Sequence, residues 1–531
     1  MAAPDTRTPT WINYWGWGSG DMLGAGAQAV ITGWLAYFFI TFCGLSAVET
    51  GLILGLPRLL EAITCPLIGY ISDNLRHTWV GRKIGRRKIF LILTIPLLPS
   101  FALIFVTGQT FTYYLVTFIF FEFLYTMFLI PWETLAAEMT KDYKKKAKFA
   151  GARMLVAQSS AILASYLPTL IINNFGGKDS SGTFLIMAAI FGGLFSLVVL
   201  LVVLFTWERP YTEAEKLIQL EPMDWTRAAM IPVNMFRDLF STLRIKAFRQ
   251  HLSLYLGGYI SQDIFNTAFP LFVATVMMGA TLVISQLMTT MYIAQLISVM
   301  IAINVVIRTG PTTAYRMAIS FVGAALLLFL AFYLIQPAGF SEGLKAMNGD
   351  LFASAVPTSP AFNPTVLFWL FAPIILAGLG RGTLNFVPWS VYNYLPDVDE
   401  AVTAQRREGI FAGVMTFVRK IAQSGAIVAT TSLIGLGGFV SPDKNHPGAV
   451  VVQTPQAVQV LVLVMVGGPL LVMLWGLWVS WSFRLNARTH EVLIHEVERL
   501  RAGATEAESP ESKAIVENLT GWKFERLWGR G

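Results

Sequence analysis

The chain has 531 residues, of which 55% are hydrophobic and only 13% charged, with a formal net charge of +7 and a mean hydropathy of +0.59. A soluble domain carries about 25% charged residues, so this composition excludes an ordinary soluble protein and places the chain in the membrane class. The basic residues lie between apolar runs rather than in a patch, which argues against nucleic-acid binding, and the two cysteines, Cys43 and Cys65, are too few and too apolar in setting for a disulfide framework or a metal site.

Taken in chain order, runs long enough to cross about 30 Å of hydrocarbon as helices are expected near residues 17–43, 48–73, 88–107, 111–138, 150–173 and 183–206, and then near 250–278, 282–307, 315–336, 364–388, 408–437 and 458–483. The N-terminal "MAAPDTRTPTW" lacks the pattern of a cleaved signal, so the first run is expected to stay as a span. The linker 207–249, with Arg209, Lys216, Arg227, Arg237, Arg244, Lys246 and Arg249, divides the chain. The expected organisation is an N-terminal six-helix bundle (1–206), a cytoplasmic linker (207–249), a C-terminal six-helix bundle (250–485) and a cytoplasmic tail (486–531). This is an all-α membrane protein with twelve transmembrane helices and a cavity between its halves, the arrangement of secondary transporters.

The loops "NLRHTWVGRKIGRRK" and "KDYKKKAK" are strongly basic, whereas the opposite loops hold only Lys178, Lys345 and Lys444. The positive-inside rule then places both termini in the cytoplasm. The Gly-, Ser- and Pro-rich loop 337–363 reads as a mobile cap. In the tail, Val492, Leu493, Val497 and Leu500 recur at helical spacing and predict a helix resting on the bundle, followed by a loop over "GATEAESPESK".

An ionisable side chain at bilayer depth costs at least about 2.5–3.5 kcal/mol and is kept where it pairs, lines a cavity or does chemistry. Asp21, Arg58, Glu61, Glu122, Glu133, Glu138, Arg153, Asp263, Arg381 and Lys420 are the candidates. Arg58 and Glu61 are three apart and share a helix face, which Thr64 and Cys65 continue. They are either a self-neutralising ion pair or a protonatable carboxylate that follows the access state of a cavity. Asp21, in "NYWGWGSGD", combines a carboxylate with glycines and aromatic rings, a pairing suited to sugar hydroxyls and apolar sugar faces; the alternative is an interfacial charge. Arg153 is either a positive-inside anchor or a guanidinium aimed into the cavity, and Lys420 lies well inside its span, far from any basic loop. Glu138 precedes a basic loop and is expected to partner it, and Pro131 is expected to bend the fourth span ahead of Trp132 and Glu133. No role is read for Asp263 or Arg381.

The stretch "GYISDNLRHTWVGRKIGRRKIFLI" resembles the loop between spans two and three of the major facilitator superfamily, with Gly69, Asp73, Arg82, Arg86 and Arg87 on its pattern. "YWGWGSGD", "IPWETLAAEMTKDYKKKAKFAGARM" and "PDVDEAVTAQRREGIFAGVMTFVRKIAQSGA" are similar to the glycoside–pentoside–hexuronide:cation symporters within it. The resemblance implies the major facilitator fold and a cytoplasmic gate of Gly69, Asp73, Arg82, Arg86, Arg87 and Glu138. It implies substrate-binding roles for Asp21, Arg153 and Lys420 and a cation site at Glu61, Cys65 and Thr126. Beside that, Trp132 is expected at the solute, Arg58 is expected to tune the coupling acid Glu61, and Lys420 to balance charge when Glu61 is ionised. Two carboxylates of the family's cation site are replaced here, by Cys65 and Leu129.

Sodium needs several oxygen ligands and a proton needs one titratable acid, so a proton-coupled or uncoupled carrier is expected rather than a sodium symporter, with H+ ahead of Na+ as the coupling ion and no other cofactor or metal. The expected activity is secondary transport of a sugar or sugar-like solute by alternating access, in a monomer in a bacterial inner membrane. The partners are then a small solute and the lipid bilayer. Two other readings stand beside it: a carrier of a lysolipid or other amphiphile, and a membrane sensor or partner subunit that moves nothing. No nucleophile–base pair, nucleotide loop or ligand set for an enzyme is present in the sequence.

Overall fold

A computed structural model describes residues 7–75, 79–140, 143–175, 181–208, 230, 233, 237, 241–392, 394–404, 408–442 and 451–529. Within them the chain is helical, with no strand. The long helices are α1 (Trp11–Thr41), α2 (Ala47–Asn74), α3 in two pieces (Lys88–Thr94 and Leu98–Phe105), α4 (Phe111–Met139), α5 (Tyr143–Phe175) and α6 (Ser181–Phe205). After the linker come α7 (Lys246–Thr275), α8 (Thr281–Thr309), α9 (Pro311–Ile335), α10 (Pro364–Tyr392), α11 (Glu408–Leu436) and α12 (Pro455–Ser482).

Among the described residues nine helices are long and apolar enough to cross a membrane, or ten if the bent pair of α3 counts as one span. The remaining two long helices, α7 and α11, fall outside that test, and both carry polar groups midway: Gln262, Asp263 and Asn266 on α7, Arg419, Lys420 and Gln423 on α11. Large apolar side chains face outward, among them Ile307, Leu334, Leu463, Leu471 and Trp478. Solvent-facing leucine and tryptophan in such numbers mark a lipid-facing belt, and the chain is an integral, multi-pass membrane protein.

Local sequence sets the helix ends. Ser46 and Glu49 form a reciprocal cap at the start of α2, the Ser46 hydroxyl accepting from the Glu49 amide (3.2 Å) and the Glu49 carboxylate from the Ser46 amide (2.9 Å). The third span is not one continuous helix as the sequence suggests: it bends by 42° across residues 95–97. Pro96 and Pro99 remove two backbone donors there, so the helix cannot run through.

The two halves pack separately and then meet. In the first, α2 lies on α4, α3 on α6 and α1 on α5; in the second, α8 and α9 both lie on α10, and α7 lies on α11 and α12. Between the halves, α2 runs along α11, α5 along α8, and α1 touches α7. Glycines permit the α2–α11 approach: a Cβ on Gly51 would stand 1.9 Å from Thr431 Oγ1, and one on Gly55 2.4 Å from Val428. The Ser424 hydroxyl donates to the Gly55 carbonyl (2.8 Å), and Ser441 donates to that of Leu45 (2.6 Å). Ser165 and Thr169 of α5 meet Thr289 and Ser285 of α8 at 3.0 and 2.7 Å. These bonds all lie toward the Ala47 end of α2, which is sealed.

Two expectations about the loops change. Segment 337–363 is a folded cover rather than a loose cap: Phe340, Leu344, Met347 and Leu351 are buried, and Gln286 of α8 holds it through Asp350 (2.8 Å) and the Leu351 amide (2.6 Å). In the tail, the predicted helix is present (Ala487–Arg501), but "GATEAESPESK" ends by entering a second one, Pro510–Thr520, capped by Ser509. The Glu496 carboxylate, buried between them, accepts from Ser512 Oγ (2.5 Å), the Glu508 amide (3.0 Å) and Arg499 (2.9 Å).

Candidate functional site

A cluster of four charged groups lies where α2, α4 and α11 meet. Arg58 Nη1 donates to Glu61 Oε2 (3.2 Å) and Glu122 Oε2 (3.0 Å), and its Nη2 donates to Gln28 Oε1 of α1 (2.8 Å). Lys420 Nζ reaches across from the other half to Glu61 Oε1 (2.7 Å). Arg58, Glu61 and Glu122 are all buried, and Phe118 lies against the guanidinium. With all four groups ionised the cluster is neutral, which offsets the cost of burying each charge. It spends both oxygens of Glu61 on N–H donors, while Glu122 Oε1 is buried without a protein partner. Cys65 is buried beside Thr126, whose hydroxyl donates to the Glu122 carbonyl (2.9 Å).

The second cluster lies nearer the start of α1. Asp21 opens a wide, π-type turn, Met22–Gly26, a feature that recurs at functional sites. Its Oδ2 accepts from Arg153 Nε (3.1 Å), and Arg153 Nη2 donates to Glu133 Oε1 (2.8 Å). The guanidinium lies over the Trp132 ring at 4.8 Å, and Trp132 stacks on Trp17 (5.2 Å) and Phe128 (5.4 Å). Two glycines make the room: a Cβ on Gly20 would stand 2.3 Å from Trp132 Nε1, and one on Gly24 would stand 2.3 Å from Asp21 Oδ1. Arg153 is 34% and Glu133 40% exposed against 0% for Glu61, so this cluster opens to solvent on the side away from the seal. Trp132 itself is fully enclosed: it supports Arg153 and, with both faces covered, offers no open ring to a solute in this conformation.

On the facing half, Asp263 takes a bidentate pair from Arg419 (2.6 and 2.9 Å), and Arg419 stacks on Tyr259 at 5.0 Å. A small cavity between the halves is lined by Thr32, Arg58, Asp263 and Thr267. Of the expected gate, Arg86 (2.5 Å) and Arg87 (2.8 Å) both meet Glu138 Oε1. Glu208 accepts from the amides of Arg86, Arg87 and Lys88 at 3.0, 3.0 and 2.8 Å. This network ties α3 to the ends of α4 and α6 within the first half. Gly69 packs toward Ile130 of α4. The side chains of Asp73 and Arg82 lie outside the described residues.

The structure thus brings Asp21, Trp132 and Arg153 together, and separately Arg58, Glu61, Cys65, Thr126 and Lys420. Lys420 meets Glu61, as expected of the group that balances its charge, and does not join Asp21 and Arg153. Sequence reasoning gave no part to Glu122 and Glu133, and missed Gln28 and Arg419. The signal for Arg419 was the Arg-Lys pair inside a span: neighbours on a helix point about 100° apart, so one side chain faces Asp263 and the other Glu61.

Residues 16–487 match the family described as MFS/sugar transport protein. A glucuronide carrier protein homolog of Escherichia coli is 21% identical over 500 residues, covering 92% of this chain and 96% of that protein. An uncharacterized symporter of Synechocystis is 21% identical over 531 residues, covering 89% and 94%. A putative glycoside/cation symporter of Escherichia coli is 29% identical over 185 residues, 34% of this chain and 39% of that one. Among solved structures, a bacterial homologue of the human drug peptide transporters superposes with a TM-score of 0.55 at 11% identity, over 92% of this chain and 99% of its own. The nucleoside transporter NupG does so with 0.53 at 15% identity, over 89% and 98%. At such identities the superpositions speak for the fold alone.

Proposed function

We propose, from the premise that this chain belongs to the MFS/sugar transport protein family, that it carries a sugar or sugar-like solute, a glycoside, pentoside or uronide, by proton-coupled alternating access. Membership of the family and the named relatives make it a secondary transporter. The solute class and the coupling ion are our reading, as are twelve spans, cytoplasmic termini and a bacterial inner membrane. With the basic loops inside, the sealed Ala47 end faces outward and the Asp21 cluster opens to the cytoplasm.

The observation that carries the coupling is the ion pair between Glu61 and Lys420, which crosses from one half to the other while Glu61 also draws on Arg58. When the halves rock apart on the sealed side, Lys420 is withdrawn. Glu61 and Glu122 are then left sharing one guanidinium, with one negative charge in excess at bilayer depth. Taking up a proton at Glu61 restores neutrality, so the access change and protonation are linked. Sodium is disfavoured because, with Lys420 withdrawn, the carboxylate oxygens left open are one of Glu61 and one of Glu122, too few for a cation that needs several, and the neighbouring positions are a thiol, Cys65, and an apolar Leu129.

For the solute, Asp21 offers hydrogen-bond acceptance to paired hydroxyls and Arg153 offers donors to a hydroxyl or a carboxylate. The proposal is tested by a thermal-shift screen of neutral glycosides, pentosides and uronides on wild type and Asp21→Asn. A ligand should raise the midpoint of the wild type only. An Asp21→Asn protein that folds and binds the same ligand equally well removes Asp21 from the site.

A further inference from the structure

We propose that Gln28 is a positioning residue that links the solute cluster around Asp21 to the charged cluster around Glu61, so that protonation at Glu61 sets solute affinity through the turn of α1 between them. This rests on the solute meeting Asp21 and the proton meeting Glu61, as proposed above. Among the described residues no ion pair joins the two clusters. What joins them is α1. Asp21 precedes the wide turn Met22–Gly26, and Gln28 follows it, ahead of a second wide turn, Ile31–Leu35. Gln28 Oε1 accepts from Arg58 Nη2 (2.8 Å), while Nη1 of the same guanidinium is divided between Glu61 and Glu122. The amide oxygen therefore fixes the orientation in which Arg58 presents Nη1 to the two acids. Gln28 Nε2 is buried with no acceptor on the protein, a cost that a methionine of the same length avoids. The position keeps that cost and, with it, the oxygen that Arg58 uses.

Both ends of the turn are tied to the charged cluster. Tyr125, on α4 beside Thr126, donates from its hydroxyl to the Gly24 carbonyl (3.1 Å), and Gly24 lies against Asp21, where a Cβ would stand 2.3 Å from Oδ1. A wide turn holds one residue more than an α-helical turn, so relaxing it rotates all that follows by about 100°, the share of one residue. With Asp21 on one side of such a turn and Gln28 on the other, a change in how Asp21 is held moves Gln28 against Arg58. The turn is then the element with two discrete arrangements that both sites bias. The other groups facing Arg58 and Glu61 are Glu122 and Tyr125 of α4, Lys420 of α11, Cys65 of α2 and, across a small cavity, Asp263 of α7, which Arg419 neutralises. Protonation at Glu61 releases its share of Nη1, the guanidinium settles on Glu122, and Nη2 carries the Gln28 amide with it. By reciprocity, solute at Asp21 changes the proton affinity of the cluster by the same factor.

The test measures solute affinity against pH on purified full-length protein, with a solute found in the binding screen. The wild type should bind roughly fivefold or more tightly at about pH 6 than at about pH 8. Gln28→Met should still bind, with that difference reduced to less than about twofold, and should exchange solute without a gradient while losing proton-driven accumulation. Thr32→Val, which removes a hydroxyl bonded to the Gln28 carbonyl (2.7 Å) but leaves the Gln28 side chain in place, should keep the wild-type profile. A Gln28→Met protein that folds and keeps the wild-type profile overturns the proposal, as does a Thr32→Val protein as flat as Gln28→Met. Should Gln28→Met not fold, hydrogen exchange on the wild type decides: added solute should change protection across residues 22–30 and around Arg58, and a change confined to the neighbourhood of Asp21 overturns the proposal. A wild-type affinity indifferent to pH is a separate failure, which removes the proton coupling and the proposal with it.

Discussion

Lys420→Gln removes the one ion pair that crosses between the two halves in the buried cluster. Breaking a buried pair by deleting one partner costs about 3–5 kcal/mol. Glu61 keeps Arg58 at 3.2 Å, but Glu122 draws on that same guanidinium nitrogen at 3.0 Å, so the compensation is incomplete and a value near the lower bound, about 3 kcal/mol, is expected. In the proposed cycle the pair exists only while the Ala47 end is closed, so the loss falls on that state alone. Since about 1.4 kcal/mol is a factor of ten, the equilibrium should shift roughly a hundredfold toward opening of the seal. Spin labels at Val48→Cys and Leu436→Cys, in a background with Cys43→Ala and Cys65→Ala, report the separation of α2 and α11 where they meet. Lys420→Gln should populate a longer distance absent from the parent. Glu61→Gln with Lys420→Gln should shift it less than the two single effects combined, as expected of groups in direct contact. An unchanged distance distribution in a folded Lys420→Gln protein would refute the gating role of the pair.

Three further outcomes test the surrounding structure. Gly24→Ala places a methyl 2.3 Å from Asp21 Oδ1, so solute affinity should fall at least about tenfold, roughly 1.4 kcal/mol, in a binding titration while the unfolding midpoint moves little. Glu122→Gln leaves Arg58 wholly to Glu61, which can then stay ionised without Lys420; accumulation driven by a pH gradient should drop several-fold while solute exchange without a gradient persists. Glu496→Ala strips the acceptor from Ser512 and the Glu508 amide and should destabilise the paired tail helices by about 2–3 kcal/mol, read as faster limited proteolysis of the tail with transport retained.

The helices were legible because a bilayer imposes length and apolarity on every span, and the predicted runs fall within a few residues of most observed ends. Even α7 and α11, too polar to pass a strict apolarity test, were found, since their polar residues interrupt runs that are otherwise apolar. Of the pairings across distance, Lys420 with Glu61 was expected, and the others were hidden. Arg58 and Glu61 were readable as partners because helical spacing places them on one face. That Glu122, 64 positions from Arg58, competes for the same guanidinium nitrogen follows only from the packing of α4 on α2. Arg153 read either as a loop-side anchor or as a guanidinium aimed into the cavity, and the structure has it turned inward to Asp21 and Glu133. Asp263 and Arg381 stood out as costly charges, but only the fold shows that Arg419 neutralises the first and that, among the described residues, no carboxylate pairs with the second. Proline was underweighted in α3, where two residues three apart were enough to break a span.

Uptake by the purified protein in liposomes, with a solute found in the binding screen, tests the central claim most directly. A proton gradient imposed at constant sodium, inside alkaline, should drive accumulation above equilibrium, and a sodium gradient at constant pH should not. Accumulation that follows the sodium gradient and ignores the proton gradient would contradict the account.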